Sequence, residues 1–115
     1  MDLPASRLNN DIAVAPQLGP EAMAAAAAAG YRSVVNNRPD FEGGPQQPTS
    51  AAMEAAARAA GLEYLFLPVA SAFQTPEQAQ AMADALDRLP KPVLAFCRSG
   101  ARSARLYQMA CALRG

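Results

Sequence analysis

Apolar runs and helix-forming runs alternate along the whole chain. "DIAVAPQ" (residues 11–17) reads as a short strand, and "GPEAMAAAAAAG" (19–30) as a helix with proline in its first turn and Gly30 placed to cap its carboxyl end. "YRSVVNN" (31–37) is apolar and β-branched, "TSAAMEAAARAAG" (49–61) is strongly helix-forming and closed by Gly61, and "LEYLFLPV" (62–69) reads as another buried strand. "TPEQAQAMADALDRLP" (75–90) opens with Thr75 as a cap, Pro76 at the first helical position and Gln78 completing a capping box. Ala79, Met82, Leu86 and Leu89 fall on one face of that helix, which must therefore pack on a sheet. "KPVLAF" (91–96) is the last strand, and "ARSARLYQMACALRG" (101–115) starts the last helix. Strands separated by helices imply right-handed crossovers. The expected fold is α/β: a central, mostly parallel sheet of about four to five strands with helices on both faces.

A chain of 115 residues with 51% apolar residues has the size of one ordinary globular domain, so residues 1–115 are read as a single domain. The Pro- and Gly-rich stretch "RPDFEGGPQQPT" (38–49) reads as an exposed loop, and no domain boundary is visible. The helical pattern still runs at Gly115, which leaves both a complete domain and a piece of a longer chain open. Ten acids balance ten bases, so no net field argues for nucleic acid or an anionic membrane surface. The start "MDLPASRLNND" lacks the basic and apolar regions of a signal peptide, and the alanine run 24–29 is too short to span a bilayer; a cytoplasmic location is expected. There Cys97 and Cys111, fourteen residues apart, should both be thiols. Histidine is absent, which removes a His general base, a Ser-His or Cys-His dyad and nearly every common zinc or iron site. No cofactor or metal is expected, and any chemistry must come from thiol, carboxylate, arginine and backbone.

In a parallel sheet, ligands bind outside the carboxyl ends of the strands. Two polar segments arrive there: "CRSGARS" (97–103) after the last strand and "NNRPD" (36–40) after the second. A strand-to-helix loop turning at Gly100 can point the backbone N–H groups of residues such as Ser99, Gly100 and Ala101 inward at a helix N-terminus, making a nest for an anion. Cys97 sits where that positive field is strongest, and a thiolate there has its pKa lowered from about 8.5 to roughly 4–7. Arg102 can turn its fork toward the anion, Arg98 adds charge, and Ser99 and Ser103 can donate hydrogen bonds to sulfur or oxyanion. Structurally, a strand-end cysteine is often only a small buried hydrophobe, and that reading is preferred for Cys111, which lacks a glycine, serine or arginine collar. For Cys97 the coincidence of cysteine, glycine and arginines at one junction favours chemistry, because cations at a helix N-terminus are otherwise unfavourable. Asn36, Asn37 and Arg38 either end a strand and cap a turn or form the rim of the Cys97 pocket, with one amide tying that rim to the cysteine loop.

"CRSGARS" resembles the active-site loop of rhodanese-type sulfurtransferases. Through "VAPQLGPEAMAAAAAAGYRSVVNNRPD", "AAGLEYLFLPV" and "PVLAFCRSGARS", residues 8–113 resemble the phosphatase-like domain of bacterial beta-lactamase-hydrolase-like proteins. The resemblance implies a fold like the dual-specificity phosphatases, sulfur transferase activity, and a persulfide dioxygenase or other sulfide-oxidising enzyme as a partner. In the phosphatases the loop arginine follows the cysteine after five residues, whereas Arg102 follows Cys97 after four. By the same resemblance such six-residue loops hold a persulfide or the terminal sulfur of thiosulfate. Phe96 stands where those phosphatases commonly carry histidine, and "LPVASAF", where their acid would fall, contains none. Asp40 is the one acid considered able to reach in. Without an acid, phosphoester cleavage loses a factor of about 10²–10⁴, whereas sulfite or a thiolate leaves unprotonated. Sulfur transfer through a Cys97 persulfide, from thiosulfate or a small persulfide to a thiol or cyanide, is the first reading. A cysteine phosphatase is the second, and a non-catalytic anion-binding or redox-sensing domain the third.

Overall fold

The computed structural model describes residues 3–114. Its elements are β1 (Ser6–Arg7), β2 (Ile12–Ala15), α1 (Ala22–Ala28), β3 (Ser33–Asn36), α2 (Ser50–Ala59), β4 (Glu63–Phe66), α3 (Pro76–Arg88), β5 (Val93–Phe96) and α4 (Ala101–Leu113). The strands form one five-stranded sheet of order β1-β2-β5-β3-β4, in which only β1 runs antiparallel to its neighbour. The α/β sheet expected from the alternating pattern is therefore present. β1 adds a short edge strand whose two exposed residues carry no strand signal of their own.

Alternation along the strands sorts the core into two layers. Ile12, Val14, Val35, Val93 and Ala95 face α3 and α4, where they meet Met82, Leu86 and Leu106. Ala13, Ala15, Val34, Leu94 and Phe96 face α1 and α2, where they meet Met23, Ala26, Met53 and Ala57. Small residues on α1 and α2 let those helices lie close to the sheet. The start of α3 is set as expected: the Thr75 hydroxyl accepts from Gln78 N at 3.0 Å, and the Gln78 side chain accepts from Thr75 N at 2.8 Å.

Parallel pairing aligns Ala15, Phe96 and Asn36 at one end of the sheet. Beyond that edge the loops are stitched together: Asn37 N donates to Phe96 O at 2.9 Å, Gln17 N to Arg98 O at 3.2 Å and Cys97 N to Ala15 O at 3.3 Å. Gly100 is obligatory here. Its φ is +94°, and a Cβ would lie 3.3 Å from the Ala15 carbonyl carbon, so a side chain would meet both strain and backbone. No helix among the described residues is long and apolar enough to cross a membrane.

Candidate active site

Cys97 continues the alternation of Val93 and Ala95, which aims its side chain at the α3/α4 layer and under the first turn of α4. The residue is 1% exposed, and its Sγ accepts from Gly100 N at 3.0 Å. Burial acts to raise its pKa. Hydrogen bonds from Ser103 and from the Gly100 and Ser99 N–H groups outweigh burial and hold the thiol below its ordinary value. The loop is thus built to carry a thiolate.

Asn37 has the same parity as Val35 and shares that face. Its Oδ1 accepts from Ser103 Oγ at 2.8 Å, and its Nδ2 donates to Leu67 O at 2.9 Å, tying the ends of β3 and β4 to α4. The amide tie expected from one of the asparagines exists, made to the Ser103 side chain rather than to loop backbone. Asn36 has the opposite parity and points into the α1/α2 layer, where its Nδ2 donates to Tyr64 Oη at 3.1 Å. It supports the rim only from beneath, its Oδ1 accepting from Arg38 N at 2.9 Å.

A cleft of about 910 Å³ is lined by Arg98, Ser99, Ala101 and Arg102 of the cysteine loop together with Arg38, Glu42, Gly43, Ser71 and Arg105; Cys97 itself lies buried beneath its loop and is not part of that lining. Arg102 is 5% exposed. Its Nη1 donates to Glu42 Oε2 and to Val69 O, both at 3.0 Å, and its Nη2 donates to Glu42 Oε1 at 2.9 Å. Arg38 Nε donates to the same Oε1 at 2.9 Å, and Arg38 Nη1 to Gln17 Oε1 at 3.1 Å. Arg102 Nε is the one buried side-chain nitrogen or oxygen without a partner among the described residues. The fork expected to turn toward a bound anion is instead spent on the Glu42 carboxylate and Val69 O, which leaves Nε as the one desolvated donor unpaired.

Glu42 was not legible as a site residue. It lies in the Gly/Pro-rich loop, and its partner Arg102 is 60 residues away. Asp40, the acid considered for this role, is used elsewhere: its Oδ1 accepts from Ser50 N at 2.7 Å at the start of α2. Cys111 is also not the buried hydrophobe expected of it; it lies exposed on α4. Buried positions on α4 are Arg102, Ser103, Leu106 and Ala110, and Cys111 stands nine residues, or about 2.5 turns, beyond Arg102 on the opposite side.

The Arg102 hydrogen bonds, followed by those of Arg38 and the charge of both guanidiniums, hold the Glu42 carboxyl below its ordinary value against the opposing effect of burial. A depressed carboxyl binds its proton at lower pH in the folded than in the unfolded chain. Its pairing therefore stabilises the fold fully above the unfolded value of about 4.3, and that contribution is lost as pH falls through the folded value. Urea melts of wild type and Glu42→Gln should accordingly differ most at pH 6–7 and converge as pH falls toward 3. A constant difference across that range would mean that the ion pair does not act through ionisation.

A five-stranded sheet sandwiched by helices, with a cysteine loop between its central strand and a helix, defines a cysteine-phosphatase-like α/β domain. The profile described as "Beta-lactamase hydrolase-like protein, phosphatase-like domain" matches residues 5–114, and the chain belongs to that family. It is 38% identical over 108 residues to the beta-lactamase hydrolase-like protein of Xylella fastidiosa, covering 94% of this chain and 25% of the relative. It is 34% identical over 111 residues to that of Agrobacterium fabrum, covering 96% and 26%. The chain thus spans about a quarter of the length of these relatives. Among solved structures, a Neisseria meningitidis protein provisionally described as a phosphatase superposes with a TM-score of 0.85 at 26% identity, covering 95% of this chain and 77% of that one. The core catalytic domain of the PP-IP phosphatase SIW14 from S. cerevisiae superposes with a TM-score of 0.69 at 13% identity, covering 96% and 65%, a likeness of fold.

Proposed function

We propose that this domain is a cysteine-dependent enzyme whose Cys97 thiolate accepts sulfane sulfur and passes it on. The observation that carries this reading is the state of the only carboxyl group lining the cleft among the described residues: Glu42 is held ionised between Arg102 and Arg38 and has no proton to give. An alkoxide leaving from a phosphocysteine-forming step needs that proton, whereas sulfite or a thiolate does not. Cys97 Sγ attacks the outer sulfur of thiosulfate or of a small persulfide. The new S–S bond forms as the old one breaks, and its electron pair leaves on sulfite or on the donor thiolate. An acceptor thiolate or cyanide then attacks the terminal sulfur of the Cys97 persulfide, and the pair returns to Cys97. Loop N–H groups and the unpaired Arg102 Nε supply donors to the anion. A persulfide dioxygenase or another sulfide-oxidising enzyme is the partner class this chemistry suits.

A second reading, a cysteine phosphatase, is favoured by the comparisons, since the matched family domain is phosphatase-like and the Neisseria structure is described as a phosphatase. In that reaction Cys97 attacks phosphorus, and a phosphocysteine is hydrolysed. Mass spectrometry of the intact protein separates the two. Incubation with thiosulfate should add one sulfur atom to Cys97, removable by cyanide as thiocyanate, while an aryl phosphate should be turned over slowly or not at all. Rapid aryl phosphate hydrolysis with no sulfur adduct would reverse the order of the readings.

A further inference from the structure

Four arginines and, among the described residues, a single carboxylate face the cleft. Arg38 and Arg102 both spend their charge on that carboxylate. Arg98 and Arg105 have no carboxylate within ion-pair distance among the described residues, and both are exposed. Arg105 is nevertheless fixed: its Nη1 donates to Ser71 O and to Gln74 Oε1, both at 3.3 Å, which holds the guanidinium at the cleft wall. It stands three residues beyond Arg102 on α4, so their Cβ atoms lie about 5–6 Å apart along one face. Arg98 follows Cys97 directly, and its backbone carbonyl is anchored by Gln17 N at 3.2 Å. Two guanidiniums without a carboxylate partner among the described residues thus line the same cleft as Ser99, Ala101 and Arg102 of the cysteine loop. The cleft, about 910 Å³, lies in the range of pockets that hold drug-sized ligands, far more than a thiosulfate ion fills.

We propose that Arg98 and Arg105 form a second anion subsite that takes a carboxylate of the sulfur donor, so that the preferred donor is the persulfide of a small thiol carrying its own carboxylates. This rests on the sulfur-transfer reading for its chemistry but not for its binding. The guanidinium fork matches a carboxylate with two parallel hydrogen bonds, and a donor gripped at both ends presents its outer sulfur to Cys97 in a fixed orientation. The sulfur step is the one written above, with the donor thiolate as leaving group.

The test compares glutathione persulfide with its diethyl ester, which keeps the sulfur and lacks both carboxylates. Wild type should favour the acid in kcat/KM. Arg98→Gln and Arg105→Gln should each lower the acid-to-ester ratio about three- to fivefold, and the pair about tenfold or more, as expected for exposed charge-assisted hydrogen bonds. A wild type indifferent to esterification, or a doubly substituted protein that keeps the wild-type ratio, would overturn the subsite. S-methylglutathione, which cannot transfer sulfur, supplies an independent reading by calorimetry. If no donor transfers sulfur yet S-methylglutathione binds and the paired substitution weakens it about tenfold, the subsite stands and the sulfur-transfer reading falls. Absent or unaltered binding in that case overturns the subsite as well.

Discussion

Cys97→Ser is expected to lower thiocyanate formation from thiosulfate and cyanide by about 10⁴-fold or more, to background, while leaving the fold in place. The loss is large because the loop is built for a thiolate: donors from Gly100, Ser99 and Ser103 hold the sulfur's pKa below its ordinary value against burial. The same donors cannot ionise a serine hydroxyl, whose intrinsic acidity is far weaker. The fold survives because serine is of similar size and its oxygen can accept from Gly100 N, as the sulfur does at 3.0 Å. Cys111→Ser, on the exposed face of α4, should leave activity unchanged and shift stability by no more than about 0.5 kcal/mol. The pH profile belongs to the same expectation. Activity should persist below the ordinary thiol range and fall only when Cys97 protonates at its depressed pKa, so an acid limb at the value of a free thiol would count against thiolate stabilisation by the loop. Full transfer in Cys97→Ser would end the mechanism.

Most of the fold was readable because its signals are local. Strand runs, Ala-rich helices, the Thr75 capping box and Gly100 at a strand-to-helix junction each act within a few residues, and parallel order follows from their alternation. The two-residue strand β1 was not readable, since it exists only through its pairing with β2. The site divides in the same way. Cys97, Gly100, Arg102 and Ser103 come together on one contiguous segment. The separation of Asn36 from Asn37 was available in principle: Val34 and Val35 face opposite layers, so consecutive asparagines must do so too. The exposure of Cys111 was likewise written in the helical spacing of α4. Glu42 had no such signal. Its place depends on how a Pro- and Gly-rich loop folds back over α4, where Gln47 holds it by accepting from Gly43 N at 2.7 Å and donating to Pro39 O at 2.9 Å. Only the tertiary structure brings a carboxylate to Arg102.

That carboxylate sharpens what Arg102 must do. Arg102→Ala should lower kcat/KM by about 10- to 150-fold, the equivalent of about 1.5–3 kcal/mol for removing a charge-assisted donor, the free Nε, from the transition state. Arg102→Lys keeps the charge and is the more telling substitution. The guanidinium satisfies three acceptors at once, both Glu42 oxygens and Val69 O, while its Nε remains free. An ammonium is a single point of charge on a flexible stem. Drawn to Glu42 and the Val69 carbonyl, it has no rigid fourth donor to hold against the anion in the Cys97 loop. Lysine should therefore recover less than about fivefold of the activity that alanine removes. Thermal melts run alongside separate chemistry from stability, because either change disturbs the buried hydrogen bonds to Glu42 and Val69 O. A folded Arg102→Lys protein with near wild-type kcat/KM would mean that charge alone suffices, and that the free Nε of a guanidinium fixed on Glu42 and Val69 O has no part in holding the transferred group.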